Sequence, residues 1–175
     1  MERVALFVDG QSLYFAAKLL DLEIDYNRVL RYFSDGDALV RARYYASIID
    51  TDEHNPMVRL FDYLAYNGWK VTTKQLREHT DATGTRRDKS GIEVQLSCDA
   101  LEISEHVDLI FLFIGDHAFL PLVEALQRRG KRVVIVSTKP ATSAELRREA
   151  DRFVDLETIR DSICRVTQAE VVKAA

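Results

Sequence analysis

Two carboxylates stand at the ends of short apolar runs, each beside a glycine. Asp9 follows Val4-Ala5-Leu6-Phe7-Val8 and precedes Gly10, while Asp116 follows Gly115 at the end of the run from Leu109 to Ile114. A short, continuous apolar run has the pattern of a strand buried on both faces. In open parallel sheets ligands bind outside the carboxyl ends of the strands, where the strand order reverses, and a glycine there lets ligand or backbone approach closely. If these two strands are neighbours, Asp9 and Asp116 face each other across that crevice. Each also has a local reading: Asp9 can brace a strand-to-helix turn, and Asp116 can cap the next helix. The other strand ends offer Asp50 and Asp52, then Lys74, then Ser137, Thr138 and Lys139.

Competing α/β chemistries lack their residues. The stretch Asp9-Gly10-Gln11-Ser12-Leu13 has no Gly-x-Gly-x-x-Gly, and neither Gly-Lys-Ser/Thr nor Gly-x-Ser-x-Gly occurs. His54, His79, His106 and His117 are scattered without zinc-ligand spacing. A receiver-type phosphorylation site needs an acidic pair after the first strand, and only Asp9 is there. Carboxylate chemistry remains, and with it a hard, oxygen-preferring cation such as Mg²⁺ or Mn²⁺.

The elements that must position these groups follow from apolar patterning. Strands are expected at 4–8, 41–49, 69–73, 109–114 and 132–136. Helices are expected at 11–21, 26–33, 54–67 (with Gly68 closing it), 91–105, 119–129 (with Pro121 in its first turn), 142–150 and 155–166. Residues 75–90 read as one long polar loop. Alternating strands and helices predict a three-layer α/β fold: an open, mostly parallel sheet of about five strands with helices on both faces.

The chain has 175 residues, 47% of them hydrophobic and 30% charged, which excludes a disordered, collagenous or coiled-coil protein. A single domain over 1–166 with a frayed tail at 167–175 is expected, large enough to fold without disulfide or metal. Cys98 and Cys164 form no pair motif, the start of the chain has no signal-peptide shape, and no apolar stretch approaches a membrane span. The expectation is a soluble cytoplasmic protein. With a formal net charge of −4 the chain is no polycation, so nucleic acid would need a local basic patch or a cation to offset the carboxylates.

Four segments in order resemble the NYN domain family in its LabA-like bacterial branch. They are Phe7-Val8-Asp9-Gly10-Gln11-Ser12-Leu13-Tyr14, Gly91 to Leu101, Gly115-Asp116-His117-Ala118-Phe119-Leu120-Pro121-Leu122-Val123, and Glu145 to Leu156. The resemblance spans about residues 3–157 and implies a fold similar to PIN domains and flap nucleases. It implies a metal-dependent ribonuclease or RNA-processing protein that hydrolyses phosphodiester bonds. The resemblance implies a metal site of Asp9, Glu93 and Asp116, and adds Asp99 less firmly, although six residues along one helix separate Asp99 from Glu93 by about 120° and 9 Å, too far to share one metal readily. Read from the residues themselves, Ser12, Asp99 and His117 are candidates to support the site from outside the ligand set. Three ionised carboxylates at close range repel, and a divalent cation resolves that repulsion. Ser12 stands where the family usually has Asn, Glu93 where it has Asp, and Ala118 where it has a second Asp. These departures raise a second expectation, a catalytically weakened module that binds RNA or a protein partner.

RNA needs cationic contacts. Lys74, with Arg86, Arg87 and Lys89 in the loop before Glu93, lies near the expected crevice, as does Arg77. Arg128, Arg129, Lys131 and Arg132 fall toward the opposite end of the sheet and read as a solvated face. Local readings stand beside the functional ones: Ser12 as a helix cap, Asp99 bonded to a neighbouring turn, His117 as an exposed helix-start residue. Tyr14 can stack on a base, and Phe15 is expected in the core. A homodimer is also expected, through exposed aromatics at Tyr44-Tyr45 and on the helix at 54–67.

Overall fold

The computed structural model describes residues 1–48, 56–76, 78–82, 84–87 and 91–165. Asp50, Asp52, His54, Arg77 and Lys89 lie outside the described residues, as does the expected tail.

β1 (Arg3–Asp9) leads into α1 (Gly10–Leu19) and α2 (Tyr26–Ser34), then β2 (Ala38–Ile48), α3 (Pro56–Tyr66) and β3 (Lys70–Gln75). A small hairpin follows, β4 (Glu78–Asp81) and β5 (Gly84–Arg87), and then α4 (Ile92–Ile103). β6 (Leu109–Phe113), α5 (Leu120–Arg128), β7 (Arg132–Ser137), α6 (Ala144–Glu149), β8 (Arg152–Asp155) and α7 (Arg160–Ile163) complete the chain. Six strands form one sheet in the order β3-β2-β1-β6-β7-β8, every neighbouring pair parallel. The chain starts at the centre, winds outward through β2 and β3, then returns beside β1 and winds the other way. The reversal falls between β1 and β6, where ligands bind in such sheets.

Parallel strands alternate their side chains between two covered faces. Val4, Leu6 and Val8 pack on one side against Leu13 and Ala16 of α1 and Val29 and Phe33 of α2. Ala5 and Phe7 pack on the other against Leu96 and Ala100 of α4 and Leu126 of α5. Residues 4–8 are fully buried, which explains why their sequence is apolar without alternation.

Three expectations need correction. The segment 75–90 is not one irregular loop: β4 and β5 pair antiparallel from Glu78↔Arg87 to Asp81↔Gly84. Alternation of polar residues leaves no apolar signal to read, yet the backbone ladder forms. The open parallel sheet is as expected, with β8 a sixth strand whose four residues are too short to register as a run between Ala150 and Leu156. Tyr44 and Tyr45 are buried, not exposed, because β2 is an interior strand, and Phe15 is exposed on α1, not in the core.

Asp99 clamps α4 to β2. Its Oδ2 accepts from Arg43 Nη1 at 2.6 Å and from the Tyr45 hydroxyl at 2.7 Å, and its Oδ1 accepts from Gln95 Nε2 at 3.0 Å. The bonds reach a strand rather than a turn. Gln95 lies one helical turn before Asp99, the spacing at which such side chains meet. Asp99→Ala should destabilise the fold by about 2–4 kcal/mol, because it strips three donors and leaves the Arg43 charge half-buried without its carboxylate. A lower urea midpoint at unchanged slope checks this. A change within about 0.5 kcal/mol would mean water replaces the clamp.

Candidate active site at the reversal of the sheet

Asp9 is the last residue of β1 and the N-cap of α1. Its backbone is still extended, and its Oδ2 accepts from Ser12 N at 3.3 Å and from the Ser12 hydroxyl. Ser12 is therefore the donor that holds Asp9, not itself the cap. Asp9 is only 9% exposed. Burial pushes its carboxyl above the ordinary range, the Ser12 hydrogen bonds oppose this, and the negative charge of Glu93 adds to the rise.

Glu93 reaches this neighbourhood from the first turn of α4, exposed to solvent. Gly91 turns the chain into that helix at φ +68°, a left-handed conformation that glycine adopts at little cost. An acid in the first turn also sits favourably against the helix dipole.

Asp116 follows β6, which pairs with β1 from Val4↔Leu109 to Val8↔Phe113. The two aspartates thus stand beyond adjacent strand ends, which meets the condition for placing them at one crevice. Asp116 caps the short 3₁₀ turn His117–Phe119, its Oδ1 accepting from Ala118 N at 2.9 Å. Its side chain is 62% exposed, and His117 Nδ1 lies 3.2 Å from the same oxygen. Gly115 fixes this turn from behind: a Cβ there would fall 2.1 Å from the Ala141 carbonyl oxygen. The cap read from the sequence is real, and it coexists with the position at the crevice.

The remaining predicted residues spread around this edge. Among the described residues, Asp99 is linked to the site through Tyr45, the residue beside Asp9 in the β1/β2 register. Lys74 lies near the end of β3, two strands from β1, or about 10 Å at the usual strand spacing. Arg86 and Arg87 lie on β5 of the hairpin that leads into α4. Ala118 is exposed beside Asp116. Sequence reading missed Tyr44 and Tyr26. Tyr44 pairs across from Val8 and lies close enough for the Asp9 charge to raise its hydroxyl pKa, after burial. Strand alternation could have separated Tyr44 from Tyr45, placing one on each face.

The donors suit a hard cation held partly by protein. Mg²⁺ commonly takes one or two carboxylates and completes its shell with water and phosphate. Asp9 and Glu93 meet that need, since a cation between them would relieve both the burial of Asp9 and their mutual repulsion. Among the described residues, no group of three or more His, Cys, Asp or Glu is gathered to hold an ion. A closed all-protein cage therefore does not fit these residues, and an open site does.

The raised Asp9 pKa has a stability consequence. The native state binds this proton more tightly than the unfolded chain, so stability is lost as pH rises from the ordinary carboxylate value through the raised one. Asp9→Asn removes the buried charge and keeps an acceptor for Ser12. In chelator-treated buffer it should stabilise the protein by about 1 kcal/mol at pH 7, with the gain disappearing below a pH of about 4. Thermal unfolding across that range reads the effect, and an equal gain at every pH would contradict it.

A family model described as NYN domain matches residues 3–157. The chain is 31% identical over 172 residues to the low amplitude and bright protein LabA of Synechococcus elongatus, covering 96% of this chain and 91% of that protein. It is 21% identical over 156 residues to an uncharacterized protein of Methanocaldococcus jannaschii, covering 88% of this chain and 55% of that one. A crystal structure of a protein of unknown function from Vibrio parahaemolyticus superposes with a TM-score of 0.75 at 29% identity, covering 94% of this chain and 96% of the other. The matched family is generally nuclease-like and RNA-related, and such domains generally use divalent metals. Among the described residues no helix is long and apolar enough to cross a membrane. With the family model spanning nearly the whole length, and LabA alike across it, the chain belongs to the NYN domain family.

Proposed function

We propose that this protein is a metal-dependent ribonuclease or RNA-processing enzyme that hydrolyses phosphodiester bonds with Mg²⁺ or Mn²⁺ held by Asp9, Glu93 and Asp116. The observation that carries this reading is Asp9: a buried carboxylate kept at the reversal of the sheet, with the charge of Glu93 beside it. When bound, the cation supplies positive charge to a phosphate oxygen and a nucleophile from water at neutral pH. Ser12 fixes the Asp9 rotamer through its amide and hydroxyl. The Ala118 amide fixes Asp116. His117 holds an exposed imidazole beside Asp116, where it can accept or return a proton. Lys74, Arg86, Arg87 and Lys89 are assigned to the RNA backbone, which carries most of the affinity in such complexes. The free thiols of Cys98 and Cys164 suit a reducing cytoplasm. A homodimer, if formed, would use α3, where Tyr63 and Tyr66 are exposed.

One observation favours a second reading. Asp9, Glu93 and Asp116 are not drawn together, and Ala118 places no carboxylate next to Asp116. On that reading the module is catalytically weakened and binds RNA or a protein partner.

Incubation with single-stranded and hairpin RNA in Mn²⁺, Mg²⁺ or EDTA separates the two. Cleavage should require metal and fall at least about 100-fold in Asp9→Asn, since even residues outside the ligand shell cost 10–100-fold. Binding without cleavage, together with a large gain in Ala118→Asp, would establish the weakened module. Independently, the double variant Arg86→Ala, Arg87→Ala should bind RNA more weakly at every sequence and lower the salt slope by about 1–2. An unchanged slope would remove these arginines from the interface.

A further inference from the structure

On the face of the sheet opposite Glu93, the first turn of α1 opens into a cavity of about 460 Å³. That is within the roughly 300–1,000 Å³ range of small-molecule sites. Gly10 and Gln11, the two residues after Asp9, form part of its wall, with Tyr14, Tyr26, Tyr44 and Leu60. Resting on the proposed function above, we propose that this cavity receives an unpaired nucleobase of the RNA whose phosphate lies at Asp9.

Three features select a base over other occupants. The first is continuity. Asp9 caps the same helical turn that Gly10 and Gln11 begin, so a ligand at the carboxylate and a ligand in the cavity share one wall. A nucleotide is a ligand with a phosphate and a flat ring a few ångströms apart.

The second is the aromatic mouth. Tyr14 is 67% exposed at the rim, with a cation, Lys18 Nζ, 6.0 Å from its ring centroid. A tyrosine ring in open solvent beside an ammonium group presents a stacking surface next to a charge that suits phosphate.

The third is the set of polar groups in a mostly apolar wall, to which Ser47 also contributes. The Tyr26 and Tyr44 rings meet edge to face at 5.7 Å, and each hydroxyl is close enough to influence the other. The Gln11 side chain is exposed at the opening. An amide and hydroxyls on apolar walls match the edge and faces of a base, which unstacked single strands present. Gly10 is required for this shape, because a Cβ there would fall 2.6 Å from the Tyr44 hydroxyl oxygen.

The test is an NMR titration of the full chain with AMP, UMP and ribose 5-phosphate, paired with cleavage of an RNA carrying one abasic position. The nucleotides should shift the amides of Gly10, Gln11, Tyr14 and Leu60, and ribose 5-phosphate should leave Tyr14 and Leu60 unmoved. Tyr14→Ala, a surface change, should raise the nucleotide Kd about tenfold. Identical shifts from ribose 5-phosphate would overturn the proposal, as would pocket amides that respond to protein concentration instead, the mark of a second copy in the cavity. Metal-dependent cleavage that proceeds equally on abasic and intact RNA would remove the base pocket and leave the ribonuclease reading. Nucleotide shifts at the pocket without any metal-dependent cleavage would do the reverse.

Discussion

β1 is buried on both faces and hydrogen-bonded on both edges, and this double enclosure constrains everything around it. A strand so enclosed tolerates nothing polar until it ends, and its end is Asp9. The parallel pairing with β6 brings Asp116 to the neighbouring strand end, and the pairing with β2 brings Tyr44 and Tyr45 to either face. The crevice, the coupling to Glu93 and the cavity under α1 all depend on that one strand holding its register. A one-residue slip would turn Asp9 to the opposite face and exchange the two cores.

The two faces of the sheet are asymmetric in a way that suits one polymeric ligand. On the α4 side a buried acid meets an exposed one. On the α1 side an apolar cavity lies beneath an exposed tyrosine. The sheet divides them, and the start of α1 touches both: Asp9 supplies the capping oxygen, Ser12 the donors, and Gly10 the clearance for Tyr44.

Much of this was legible in the sequence, and the limits have physical reasons. The apolar runs at β1, β6 and β7 announce themselves because strands covered on both faces cannot alternate. Asp9 and Asp116 were legible because polar residues directly after such runs are conspicuous. The β4–β5 hairpin was not, since neither of its strands contains an apolar residue, and β8 was hidden by its length. The aromatic placements failed for a different reason. Aromatic side chains are compatible with core and surface alike, so composition could not decide that Tyr44 is enclosed while Phe15 faces solvent. The Asp99 clamp joins residues 54 and 56 positions apart, a pairing only the folded sheet creates.

The contrast between positions 9 and 118 bears on how such a site drifts. Position 118 is exposed, so exchanging a carboxylate for a methyl group there is close to neutral for folding, and random substitution can accept it. Position 9 is enclosed, and an ionised side chain there works against folding at neutral pH. Substitution pressure alone would therefore erode the acid at 9 sooner than it would be restored, since stabilising replacements are easily reached. An aspartate at that position is held against the slope of the stability landscape, whereas an alanine at 118 lies on its flat.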